Sequence, residues 1–371
     1  MSAKEAALEA KVRGLYGELQ FSDTRARMAI TSETAPLEKI LEAEGIFPGK
    51  KSCSLADFER ALRIKSRGRL ESLRHYMERE ARVFYDAYLM EEEIAALRIY
   101  LGLLLQTDRS DLLRFVEESP YRNVLQFSTD PEIAAGEYME NLSTRPYFRI
   151  LSPYLQENDE DLRSREFYLS VNLEKWYFQN LQKKLKTRKK ETDLQRFLAE
   201  QMDWANIQWI YRARRYRGLD ALSIQTLTMP GGRVFSEASL RRLCTLSPSE
   251  IEEEFRAGRY AGALAGQDPM SFFDIARQRY FVAQARRMLY GNGSALSKAI
   301  AYAVMSEAQR VDLCRIAEAV SLQVPMAERN LYLIEEPEKV GKTIIPDKGK
   351  NHRTQAGESA SQKPERRTHG R

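Results

Sequence analysis

Apolar residues recur three or four positions apart along most of the chain, as on one face of a helix, and seldom alternate as they would on a half-buried strand. Prolines, which helix interiors rarely accommodate, leave long open stretches from Pro48 to Pro120, Pro153 to Pro230 and Pro269 to Pro325. Each stretch predicts long helices and carries a similar block toward its C-terminal end: Glu93-Ile94-Ala95-Ala96-Leu97-Arg98-Ile99, Asn206-Ile207-Gln208-Trp209-Ile210-Tyr211-Arg212 and Arg310-Val311-Asp312-Leu313-Cys314-Arg315-Ile316. Ile94 and Ile207 are 113 residues apart and Ile207 and Val311 are 104 apart. That period is one small domain, far longer than a solenoid repeat.

The pattern therefore predicts an all-α chain of three similar helical bundles, 1–120, 121–235 and 236–337, each with a few shorter helices followed by two long ones. Tyr177-Phe178 precedes Ile207 by 30 residues and Tyr280-Phe281 precedes Val311 by 31, while the first third has no counterpart at that distance. Thr144-Arg145-Pro146-Tyr147 and Ala257-Gly258-Arg259-Tyr260 form a second pair, each leading to a leucine four residues on. Met229-Pro230-Gly231-Gly232 supplies turn chemistry. From 338 to 371 the sequence is rich in Lys, Arg, Ser, Gly and Gln, a composition with little to bury that predicts a disordered basic tail.

Composition narrows the picture. Helix formers dominate the 371 residues, with only 19 Gly and 13 Pro. The formal charge is +5, but residues 338–371 hold nine Lys/Arg against four Asp/Glu, leaving 49 of each sign in the body. A balanced body argues against a broad nucleic-acid footprint. Cys53, Cys244 and Cys314 lie far apart with no C-x-x-C spacing, so they read as small core residues of a cytosolic protein. The charged N-terminus lacks a signal-type apolar region, and the longest apolar run, Ile99 to Leu105, is too short to span a bilayer.

Reactive groups are sparse. His75 is the single histidine of the body and sits among Arg and Glu, as on a solvated helix. Glu91-Glu92-Glu93 and Glu252-Glu253-Glu254 are consecutive, so their carboxylates point around a helix rather than converge, and they read as solvated faces. Gly341-Lys342-Thr343 matches the end of a P-loop, but Glu336 stands where the first glycine belongs and no buried strand precedes it. Gly291-Asn292-Gly293 reads as a turn. No catalytic, cofactor-binding or metal-ligating residues are expected, and no cofactor. Two basic clusters remain. Lys183 to Lys190 could meet an acidic surface or lipid headgroups, or complete a helix C-terminus whose dipole favours cations. Tyr211-Arg212-Ala213-Arg214-Arg215-Tyr216-Arg217-Gly218 interleaves aromatics with arginines, as a nucleic-acid platform does, or ends a helix with Gly218 just past its basic last turn.

The second block carries a family resemblance. Met202-Asp203-Trp204-Ala205-Asn206-Ile207-Gln208-Trp209-Ile210-Tyr211-Arg212, followed by Pro230-Gly231-Gly232, resembles the D-x-x-N-I-x-x-(I/L)-x-R signature and P-G-G turn of the V-type ATPase C-subunit family, the counterpart of the eukaryotic d-subunit. Ser306-Glu307 through Arg315-Ile316 resembles that family's C-terminal K-E-x-E-(I/V)-x-N-L-R-x-I segment, with Ser306 and Gln309 in place of its Lys and second acid, and Arg315 one place after its arginine. The resemblance implies a funnel of three bundles, peripheral on the cytoplasmic face of the membrane. The funnel would seat on the proteolipid ring, receive the central shaft in its mouth, and transmit torque without bond chemistry in an ATP-coupled proton or sodium transporter. Arg98, Asn206, Arg212, Glu307 and Arg315 are the candidate partner contacts, unless they stitch helices together within the bundles. A nucleic-acid-binding helical protein using 211–218 is the alternative.

Overall fold

The computed structural model describes residues 2–20, 54–104, 110–130, 133, 135–151, 153, 162–186, 188, 191–263 and 273–334. The 338–371 tail, with its P-loop-like tripeptide, and Cys53 lie outside the described residues. All regular structure among the described residues is helical, as the periodicity predicts. In chain order the helices are α1 (Ala3–Gln20), α2 (Leu55–Leu73), α3 (Arg79–Leu104), α4 (Ser110–Glu118), α5 (Arg122–Leu125), α6 (Ala135–Glu140), α7 (Phe148–Leu151) and α8 (Leu162–Lys186). They continue with α9 (Thr192–Arg217), α10 (Ala221–Leu227), α11 (Glu237–Thr245), α12 (Pro248–Ala257), α13 (Phe273–Tyr290), α14 (Ala295–Ser321) and α15 (Met326–Arg329).

Local chemistry sets the boundaries. Ser54 and Asp57 close a capping box at the start of α2, and Ser247 and Glu250 do the same for α12, whose first residue is Pro248. Ser294 caps α14 by accepting from Ser297 N–H. Gly218 ends α9 at φ +59, the left-handed conformation that glycine adopts without a Cβ penalty, and Lys183, Lys184 and Lys186 occupy the last turn of α8. The repeated blocks fall on α3, α9 and α14, the three long helices that organise the molecule.

These helices close into a ring. α3 packs on α8, α8 on α9, α9 on α13, α13 on α14, and α14 returns to α3 while also receiving α1 and α2. The N-terminal helices α1 and α2 are thereby joined to α13 and α14: Lys298 Nζ on α14 donates to Glu9 Oε1 on α1 at 2.7 Å, Tyr290 Oη reaches Tyr16 Oη at 3.2 Å, and Ser66 and Ser306 hydroxyls lie 3.0 Å apart. Ala299, Ala301, Ala303, Ala308 and Ala317 are buried along α14 and let its neighbours approach closely. One apolar core runs from Leu8 to Met305, and Phe58, Leu62, Leu313, Ile316 and Leu333 seal the junction of α2 with the end of α14. No helix of the described residues is long and apolar enough to cross a membrane.

Candidate functional site

α9 carries Glu200, Asp203 and Asn206 at intervals of three, so all lie along one side of the helix. All are buried, and all face the loop that follows α10. Asn206 Nδ2 donates to the Met229 carbonyl at 2.8 Å and its Oδ1 accepts from Met229 N–H at 2.7 Å. Asp203 accepts from the N–H groups of Arg233, Val234 and Phe235 at 3.0, 2.8 and 3.3 Å, and from Tyr260 Oη at 2.8 Å. Glu200 pairs with Arg233 and accepts from Tyr280 Oη at 3.0 Å. Burial raises the Asp203 carboxyl above its ordinary range, with the Tyr260 and backbone hydrogen bonds pulling the other way, and burial beside Glu200 pushes Tyr280 up to about 12. The D-x-x-N pair and the P-G-G turn are thus two halves of one lock, in which side chains of α9 read the backbone of the loop.

One turn further along α9, Trp209 is buried and its indole N–H donates to Glu174 on α8. Two of the candidate arginines converge on its ring: Arg98 of α3 at 5.8 Å and Arg212 of α9 at 5.7 Å from the centroid, within cation–π range. Arg212 also lies 3.8 Å from Asp274 of α13, to which Gln208 Nε2 donates at 3.1 Å. Phe167 meets Trp209 edge-on at 5.6 Å and carries Arg217 at 5.4 Å. α3, α8, α9 and α13 thus meet at one arginine-rich, aromatic-backed surface, with Arg215 and Tyr216 exposed at its end. Tyr211 and Arg214 of segment 211–218 are instead turned inward. Tyr211 is buried with its hydroxyl 3.0 Å from Glu252 Oε1, and Arg214 holds the carbonyls of Leu219 and Cys244.

Inside the ring lies a half-open cavity of about 280 Å³. Apolar walls from Leu70, Leu89, Phe281, Val304 and Ile334 surround Glu91, Glu92, Glu307, Gln201 and Arg277. Glu91 remains reachable by water, yet the surrounding protein pushes its carboxyl up to about 7; Arg277 opposes this and Glu174, Glu307 and Glu92 add to it. Glu307, the fourth candidate, is paired with Arg310 at 2.5 Å. Arg315 lies elsewhere, donating to the Tyr332 carbonyl at 2.9 Å and Gln278 Oε1 at 3.2 Å, with its pKa lowered chiefly by burial.

The expectation that Glu91-Glu92-Glu93 forms a solvated face holds for Glu91, which is exposed, and needs correction for Glu92 and Glu93, which are half-buried. Glu91 lines the cavity, Glu92 accepts from Tyr121 Oη at 2.6 Å, and Glu93 accepts from Tyr147 Oη at 2.7 Å with Arg145 at 3.5 Å. Three consecutive carboxylates do point different ways, but the segments holding Tyr121 and Tyr147 supply hydroxyl partners to Glu92 and Glu93. His75 is exposed, as expected. Asp203, Glu200, Glu91 and Arg277 were not singled out from the sequence as site residues; the signal for the first two was the spacing of three shared with Asn206. Among the described residues no group of three or more His, Cys, Asp or Glu side chains is placed to hold a metal ion.

No curated protein matches the chain. A family model for the ATP synthase (C/AC39) subunit, of V/A type, matches residues 8–330. That span takes in the lock on α9, the arginine surface, all of the cavity lining but Ile334 and all five candidate contacts, and on it the chain belongs to the ATP synthase (C/AC39) subunit family.

Proposed function

We propose that the chain is the non-catalytic coupling subunit of a V/A-type rotary ATP synthase or ATPase, joining the central shaft to the proteolipid ring on the cytoplasmic face of the membrane. The observation that carries this reading is the family match across residues 8–330. The architecture supports it. A torque-bearing spacer must resist twisting, and here the N-terminal helices are fastened to the C-terminal pair, which closes the ring of described long helices. Threefold recurrence of a long helix on α3, α9 and α14 supports three bundles at 1–120, 121–235 and 236–337, arranged as a funnel.

Within this reading Arg98 and Arg212 are the contacts for register with an acidic partner surface, because they are half-exposed and braced on Trp209. Glu307 is the contact at the rim of the cavity. Asn206 and Arg315 act on partners indirectly, by holding the 229–235 loop and the 330–334 segment in place. Affinity purification of the tagged chain from its native membranes tests the assignment. Recovery with proteolipid and shaft subunits is expected, and recovery of the intact chain without either would overturn it.

A further inference from the structure

We propose that the basic tail, residues 338–371, docks at the mouth of the cavity and places one of its first four lysines, Lys339, Lys342, Lys348 or Lys350, among Glu91, Glu92 and Glu307. The proposal rests on where the described chain ends, on the charge of the cavity and on the opposite charge of the tail.

The chain is clamped just before the tail begins. Arg279 of α13 donates to the carbonyls of Leu331 at 3.2 Å and Leu333 at 2.8 Å, Arg315 of α14 holds the Tyr332 carbonyl, and Ile334 N–H donates to Asp312 Oδ1 at 2.7 Å. These bonds seat Ile334 in the cavity wall, so the described chain ends at the cavity itself. Lys339 is five residues on and Lys342 eight, and chain of that length spans up to roughly 17 to 28 Å. Either side chain reaches back into the mouth with slack.

The cavity suits such a visitor. Three glutamates face one arginine across its walls, and among the described residues Glu91 makes no ion pair within 4.0 Å. Glu92 accepts from the neutral Tyr121 while the Arg67 and Arg310 guanidiniums act on it only at longer range, and Glu307 shares Arg310 with Glu59, which lies 3.7 Å from the same guanidinium. An added cation would relieve this crowding, which is the repulsion that helps push the Glu91 carboxyl upward. The volume, about 280 Å³, is slightly below the roughly 300 to 1,000 Å³ of sites for whole small molecules. It fits one long side chain with an apolar stem and a charged head. The tail offers nine Lys/Arg against four Asp/Glu and is tethered at the rim, so its effective concentration there is high. Any partner entering the cavity must then displace it. The proposal does not depend on which partner that is.

Two measurements on the full chain test it. Zero-length carbodiimide coupling, followed by digestion and mass spectrometry of the monomeric fraction, should join Lys339, Lys342, Lys348 or Lys350 to Glu91, Glu92 or Glu307. Coupling of those lysines only to carboxylates outside the cavity, or only between chains, would overturn the proposal. The second uses a tail-only variant, K339Q/K342Q/K348Q/K350Q, whose body is untouched. Modification of Glu91 by carbodiimide and glycine ethyl ester should run at least about fivefold faster in the variant, and similarly in the wild type at about 1 M salt, where screening acts within roughly 3 Å. Equal rates in all three conditions would sink it.

Discussion

Replacing Gly232 by alanine brings a methyl carbon inside the van der Waals surface of Asp203 Oδ1 and to 2.9 Å from its Cγ. Gly231 and Gly218, not Gly232, are the described glycines at positive φ, so this cost is steric rather than conformational. Restoring ordinary carbon contact of about 4 Å displaces the carboxylate by roughly 1 Å. Asp203 holds the Arg233, Val234 and Phe235 N–H groups and the Tyr260 hydroxyl at 2.8 to 3.3 Å, so a displacement of that size breaks two or more of these bonds. Each buried donor left unsatisfied costs about 1–3 kcal/mol, and the expected loss for G232A is about 3–5 kcal/mol, at the large end for a point substitution. Urea unfolding at neutral pH, followed by helical circular dichroism, measures it. G231A is the control: its φ of +102 carries strain of about 1–3 kcal/mol, but the atom in its way is the movable end of Gln182. The double variant D203A/G232A isolates the mechanism. With the carboxylate gone the new methyl has room, so the double variant should be no less stable than D203A alone, giving strong coupling. A loss for G232A below about 1 kcal/mol, or additivity in the cycle, would refute the lock.

Glu91 has a folded pKa of about 7 against an ordinary 4.5, so the folded protein binds the extra proton between those values and loses stability as pH rises through that window; E91Q should match wild type below pH 4.5 and exceed it above 7 in thermal unfolding. Glu9 is shifted the other way by its hydrogen bond to Lys298, so its contribution is present above the ordinary carboxylate range and fades as pH falls through the lowered value; K298M should cost about 1–3 kcal/mol at neutral pH and less in acid. R98Q/R212Q should weaken recovery of partner subunits at least about tenfold while changing stability by no more than about 1 kcal/mol, since both contacts are half-exposed cation–π pairs. Trp204 is fully buried against Phe255, Tyr260, Phe273 and Tyr280, and W204A should lose about 3–5 kcal/mol by urea titration.

Much of the fold was legible because it depends on periodicity. Spacings of three and four placed α3, α9 and α14, Gly218 marked the end of α9, and the proline-free stretches bounded the long helices. The family was legible because Asp203-x-x-Asn206 and Pro230-Gly231-Gly232 are rare in combination, and the match over residues 8–330 bears it out. What those residues do was not legible. A motif within a few positions reports local spacing, whereas Asn206 meets Met229 across 23 residues, Asp203 meets Tyr260 across 57 and Glu93 meets Tyr147 across 54. The glutamate run on α3 reads as solvated because nothing in its own helix says which neighbours bring hydroxyls.

The same contacts connect the repeat to the mechanics of the molecule. Glu93 on α3 takes the hydroxyl of Tyr147, Asp203 on α9 takes the 233–235 backbone and Tyr260, and Asp312 on α14 takes Ile334 N–H. Each of the long helices therefore carries an acid that fastens a segment lying C-terminal to it. Tyr147 and Tyr260 are the tyrosines of the two Arg-containing segments that the sequence pairs, so their similarity reflects a shared fastening rather than a shared surface. Such an arrangement converts loops, ordinarily the softest parts of a helical protein, into braces between successive helices. Stiffness of this kind costs buried carboxylates, whose desolvation is offset only when every acceptor is filled. Under the proposed coupling role, substitutions at Asp203 or Asn206 are therefore expected to lower stability and partner binding together. A change there alters the angle between α9 and the helices that follow, and with it the position of Arg212 against Asp274 on the outer surface.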